Sequence, residues 1–99
     1  DASGQRGIWD QEEIYGKWEV KLKEGLYDIK FKFIKPVDVK GRMFLETGAV
    51  VNQMKNATKT DIIEMKNVKL PEMEGSLVPF YMVQRKRIFP FWVELKKTD

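Results

Sequence analysis

Ninety-nine residues, 33% of them charged and 42% hydrophobic, with a net charge of +3, describe one mildly basic globular domain. Cysteine and histidine are both absent, which excludes disulfides and thiol chemistry and removes the commonest general base and the commonest metal ligand together. No apolar run approaches the ~20 residues that a membrane-crossing helix needs, so no membrane partner is expected, and without cysteine or histidine no cofactor held by this chain is expected.

The chain opens with a polar, glycine-rich stretch, residues 1–8 (DASGQRGI). It reads as a linker into a single domain over 9–99, the whole excised from a longer protein. Trp9 is expected just ahead of the first strand, where it would cover a sheet end. Residues 15–33 (YGKWEVKLKEGLYDIKFKF) then alternate with period two. Trp18, Val20 and Leu22 fall on one side, and Lys17, Glu19, Lys21 and Lys23 on the other. Past Glu24-Gly25, the apolar side holds Tyr27, Ile29, Phe31 and Phe33, and the wet side Asp28, Lys30 and Lys32. Glycine can adopt the positive φ of a tight turn. The segment therefore predicts an antiparallel hairpin turning at Gly25, with one buried and one solvated face.

Pro36 lacks a ladder donor and is expected to end the second strand. Short strands follow over 42–46 and 49–54, with a turn at Thr47-Gly48 between them and a polar loop over 55–60 (KNATKT) after them. Asn56-Ala57-Thr58 in that loop matches the N-glycosylation pattern. Strand character resumes over 61–70, where the apolar phase slips between Met65 and Val68 and predicts a bulge at Lys66-Asn67. After a loop over 71–75 (PEMEG), two last strands cover 76–84 and 88–96, joined by Arg85-Lys86-Arg87. Pro79 and Pro90 inside them argue for edge positions or bulges. No stretch has a helical period. Short strands with turn signals between them predict an all-β fold, an antiparallel β-sandwich of jelly-roll type.

The chemistry that such a chain can carry is limited. Nucleophile–histidine pairs and zinc sites lack their ligands, and the seven glycines are scattered rather than gathered in a phosphate loop. Glu12-Glu13, Glu72 and Glu74 read as solvated loop charges rather than as a catalytic carboxylate pair. Arg85-Lys86-Arg87 is either a turn kept soluble by its charge or an anion contact. Trp18 is in phase with the buried face, whereas Trp92 is out of phase with Phe91 and Val93. Trp9 and Trp92 are thus the aromatic candidates for stacking on a sugar or docking on a neighbouring domain. Tyr27, Phe31 and Phe33 share the face of Ile29 and read as core, so no nucleic-acid stacking platform is expected.

Three stretches taken together carry a family resemblance: Trp18-Glu19-Val20 through Gly25-Leu26-Tyr27-Asp28-Ile29; Val68-Lys69-Leu70-Pro71 through Gly75-Ser76-Leu77; and Pro90-Phe91-Trp92-Val93-Glu94-Leu95. Their order resembles the C-terminal domain appended to many bacterial arylsulfatase-type enzymes, over residues 7–97, with Trp92 standing where the closing segment usually has tyrosine. The resemblance implies a β-sandwich accessory domain that packs on a catalytic domain of the parent chain and contacts sulfated polysaccharide, in a periplasmic or secreted protein. The [C/S]-x-P-x-R motif that supplies that family's formylglycine nucleophile is missing: in Ser76-Leu77-Val78-Pro79 the proline comes one place late and no arginine follows. A rival likeness, Gly16-x-Trp18 to the G-x-W of lipocalins and fatty-acid-binding proteins, requires more strands than this length comfortably holds. A carbohydrate-binding module that stacks sugar on Trp92 or Trp9 is the alternative function.

Overall fold

A computed structural model describes residues 7–10, as backbone, and residues 17–99. They form nine strands: β1 (Gly7–Asp10), β2 (Trp18–Leu22), β3 (Gly25–Val37), β4 (Arg42–Thr47), β5 (Val50–Lys55), β6 (Thr60–Leu70), β7 (Met73–Val83), β8 (Lys86–Ile88) and β9 (Trp92–Lys97). Two antiparallel sheets result, one ordered β1-β9-β3-β6 and the other β2-β7-β4-β5, with β8 also paired to β7. The expected all-β sandwich is present.

The connectivity is that of a rolled ribbon. The two-residue loop Gly48-Ala49 bends β5 back on β4, and outward from it β6 pairs with β3, β7 with β2 and β9 with β1. Gly48 has φ 63, the left-handed conformation that this tight loop needs and that costs glycine little. Successive rungs fall in alternate sheets, and β9 joins β3 while β7 joins β4 to complete each sheet. This is the jelly-roll order.

The core is built from the alternation read in the sequence. Trp18, Val20 and Leu22 of β2 and Tyr27, Ile29, Phe31 and Phe33 of β3 are all buried. They meet Met43, Leu45, Ile63, Met65, Leu77, Tyr81, Val93 and Leu95 between the sheets. Each such side chain is worth roughly 1.5–3 kcal/mol in removed apolar surface.

The expected hairpin over 15–33 does not form. β2 lies in one sheet beside β7, and β3 lies in the other between β6 and β9. Lys23 and Glu24 carry the chain across, and the Tyr27 hydroxyl donates to the Lys23 carbonyl at 2.7 Å. Side by side, the two apolar faces would point the same way and need a third layer to cover them. In opposite sheets they cover each other. Gly25 is accordingly the buried first residue of β3, and Gly48 is the glycine with positive φ among the described residues. Tyr15 and Gly16, the latter part of the lipocalin-like G-x-W, lie outside the described residues.

Several boundaries move. β7 starts at Met73, so the loop after β6 is only Pro71-Glu72. The segment expected as one strand over 88–96 is broken at Phe89-Pro90-Phe91, leaving β8 and β9. Pro79 sits in an interior strand, but it falls between the two partners on that side: β2 pairs with β7 up to Leu77 and β8 from Tyr81. The strand is locally an edge there, as a proline requires. β3 runs on through Pro36 to Val37, yet residues 33–36 have no ladder partners on either neighbour. The bulge expected at Lys66-Asn67 is present: the two residues together oppose Asp28, and Asn67 has φ 54.

A buried polar knot ties β7 to the link between β3 and β4. The Tyr81 hydroxyl donates to the Asp38 carbonyl and accepts from the Gly41 N–H (3.0 Å) and from Asn56 Nδ2 (3.2 Å). A Cβ on Gly41 would come within 2.4 Å of the Tyr81 ring, so glycine is the residue that fits. Asn56 is buried and its Oδ1 accepts from the Thr58 N–H at 3.3 Å. In the folded chain the N-glycosylation match is therefore a structural asparagine with both ends of its amide engaged.

Candidate functional site

The outer face of the four-stranded sheet, formed by β1, β9, β3 and β6, divides into a charged middle and an apolar end. In the middle, Lys30 lies opposite Glu64 on β6 and Glu94 on β9, and Asp28 lies opposite Lys96. Lys66 pairs with Glu64 at 3.2 Å and with Asp28 at 3.5 Å. The Asn67 N–H donates to the Asp28 carboxylate at 3.1 Å, and with Lys66 nearby this holds the Asp28 carboxyl below its ordinary value. The hydrogen bond with Glu64, then the charge of Asp28, push Lys66 up. Acids and bases alternate here, so the shallow hollow of about 270 Å³ between them has no pair of free carboxylates.

At the apolar end, Lys32 lies between Trp92 on β9 and Ile62 on β6. Trp92 is half-buried. Lys32 pairs with Asp61, and that hydrogen bond lowers the Asp61 pKa. Beyond this row the unpaired stretch of β3 exposes Ile34, 70% accessible; Ile62 in the row is 44% accessible, and Phe91, next to Trp92 in the chain, 43%. The Phe91 N–H donates to the Lys32 carbonyl, which fixes this end of β9 against β3. Ile34 lines a hollow of about 420 Å³ together with Phe33, Pro36, Val37, Ile88 and Phe89.

Arg85, Lys86 and Arg87 are exposed on the β7–β8 hairpin. Its two loop residues, Gln84 and Arg85, have φ 51 and 65, a turn whose preferred residues are Asn-Gly. Arg87 lies opposite Met82 on the outer face of the other sheet, its guanidinium 4.4 Å from the centre of the Phe80 ring. Arg87 and Trp92 thus belong to opposite faces of the sandwich and do not form one site. Trp9 lies within β1, in register with Val93, rather than ahead of the first strand, and its side chain is outside the described residues.

The acidic candidates do not converge either. Glu72 and Glu74 are exposed beside Lys21 and Lys23 around an open hollow, with Glu74 directly opposite Lys21. Glu12 and Glu13 lie outside the described residues. Among the described residues no group of three or more acids is placed to hold a metal ion.

Sequence reasoning missed Ile34 and Ile62 as exposed apolar groups. Ile34 follows Phe33 directly, and two adjacent apolar residues in a period-two strand cannot both face the core, which was the available signal. In comparisons with known proteins, no family model, curated protein or solved structure matches this chain.

Proposed function

We propose that this chain is a non-catalytic accessory domain of a sulfatase, a sulfuric ester hydrolase, that packs on the catalytic domain of its parent protein and contacts sulfated glycan at its rim. The observation that carries the docking is the apolar end of the four-stranded sheet, where exposed Ile34 and Ile62 share the face of half-buried Trp92. Apolar groups clustered on a surface mark contact with another macromolecule, and a tryptophan within such a patch is a typical anchor. The sulfatase part of the reading is supported by the resemblance over residues 18–29, 68–77 and 90–95, and the periplasmic or secreted location comes with it. The rim contact to sulfate falls to Arg85, Lys86 and Arg87.

A second reading, a carbohydrate-binding module that stacks sugar on Trp92, is favoured by the partly exposed indole beside Lys32. The two readings separate in one experiment on the domain and the remainder of its parent chain, with association followed by calorimetry. Docking predicts that Ile34→Asp and Trp92→Ala each weaken association at least tenfold, about 1.4 kcal/mol, and leave neutral-sugar binding undetectable in every variant. Intact association in both variants, with neutral-sugar affinity lost in Trp92→Ala, would establish the second reading instead. The sulfatase assignment fails separately if the open reading frame holds no [C/S]-x-P-x-R motif.

A further inference from the structure

The five-stranded sheet's outer face carries a feature that no single segment of sequence displays. Arg42 on β4 lies opposite Lys55 on β5 and opposite Met82 on β7, and Met82 lies opposite Arg87 on β8. Directly opposed residues of antiparallel strands share a face. The neighbouring positions Met43 and Tyr81 are buried in the core, so this row points outward. Lys55, Arg42 and Arg87 are exposed. With strands about 4.8 Å apart, the three cations stand in line across the sheet, roughly 5 Å and 10 Å apart at the backbone. Among the described residues no carboxylate pairs with any of them; the ion pairs there fall at Lys32, Lys66 and Lys97. The acids of this face stand away from the row: Glu46 is two rungs further along, between Val51 and Val78, and Glu19 and Glu74 lie toward β2, opposite Ser76 and Lys21.

The row stands beside a rigid aromatic floor. Phe44 stacks on Phe80, with ring centres 5.2 Å apart and planes at 12°, and Phe89 meets Phe80 edge-on at 6.5 Å. Phe80 is only 2% exposed although it lies outside the main core. The Arg87 guanidinium covers it, and Arg42 Nη1 donates to Gln53 Oε1 at 3.3 Å. Both forks are thereby oriented while keeping donors for an anion.

We propose that this face binds a linear, sulfated polysaccharide lying across β5, β4, β7 and β8, with its anionic groups held by Lys55, Arg42 and Arg87. The choice of a glycan rests on the accessory-domain reading above and on one further point. A single-stranded nucleic acid needs open rings on which bases stack, and here Phe80 is capped by Arg87 itself. The row belongs to the outer face of the five-stranded sheet and Ile34, Ile62 and Trp92 to the four-stranded one, and the two areas come together at Phe89, which meets Phe80 and also lines the hollow at Ile34.

The test uses the 99-residue chain and three probes: a heparin-derived octasaccharide, the same oligosaccharide after chemical desulfation, and a single-stranded DNA oligonucleotide of similar charge. Titration at low and moderate salt should give binding to the sulfated probe that weakens with salt, and little binding to the other two. Arg42→Gln and Arg87→Gln should each cost about tenfold, as expected for a charge-assisted hydrogen bond. Arg87→Lys should recover only part of the loss, and Lys30→Gln on the other sheet should change nothing. Circular dichroism melts confirm that each variant is folded. Equal binding of the desulfated probe, DNA binding as tight as the glycan, or full affinity in the Arg42→Gln/Arg87→Gln double variant would each overturn the proposal. Because the docking variants at Ile34 and Trp92 are read in a different assay, either conclusion can fail while the other stands.

Discussion

Tyr81 shows how much one hydroxyl can organise. It closes the link between β3 and β4 by serving the Asp38 carbonyl, the Gly41 N–H and the Asn56 amide at once. Removing that oxygen leaves buried donors unpaired, and a buried donor without a partner costs about 1–3 kcal/mol. Tyr81→Phe is expected to lower stability by that amount, read as a shift of the urea midpoint at constant slope. An unchanged midpoint would mean that Gly41 and Asn56 find other partners. Little of this was legible in the sequence. Tyr81 lies in a run of apolar residues, and its partners are 25 to 43 positions away. The chain gave one sign only, a glycine at position 41 ahead of a strand, and that sign does not say which ring needs the space.

At the scale of the element, the charged outer face of β3, β6 and β9 makes stability depend on acid. The Asn67 N–H, then the charge and hydrogen bond of Lys66, lower the pKa of Asp28, and the hydrogen bond from Lys32 lowers that of Asp61. Both folded values lie below the ordinary 3.8. Their contribution is therefore fully present above 3.8 and is lost as pH falls through the folded values. The thermal midpoint should stay level from neutral pH down to about 5 and fall below about 4. Asp28→Asn should flatten part of that fall, and a wild-type midpoint unchanged from neutral pH to pH 2 would contradict the assignment. The Lys66-Asn67 bulge was legible because a slip in period two requires an extra residue, whereas the carboxylate that supports it belongs to another strand. The β7–β8 hairpin is a different case. Gln84 and Arg85 both occupy left-handed backbone, at roughly 1–3 kcal/mol each for residues with a Cβ. That cost is retained at the tip beside the proposed anion-binding face.

For the whole molecule, the rolled ribbon makes distant segments neighbours, and this can be tested in a chain without cysteine. Glu19 on β2 lies opposite Ser76 on β7 and hydrogen-bonds with it. Glu19→Cys with Ser76→Cys should oxidise readily to a disulfide, seen as faster migration without reductant. Glu19→Cys with Lys30→Cys, the pair that a hairpin turning at Gly25 would bring together, should stay reduced; the reverse result would restore the hairpin. By itself, the sequence determined the all-β class, the inward set from Trp18 to Phe33 and the bulge on β6, because a side-chain period of two is a local property of the backbone. Only the tertiary structure decided which strands pair and what lies on each outer face. Many amphipathic antiparallel strands can pair equally well at short range, and the choice among them is made by covering every apolar face at once. The row of Lys55, Arg42 and Arg87 and the exposed patch around Ile34 are products of that choice.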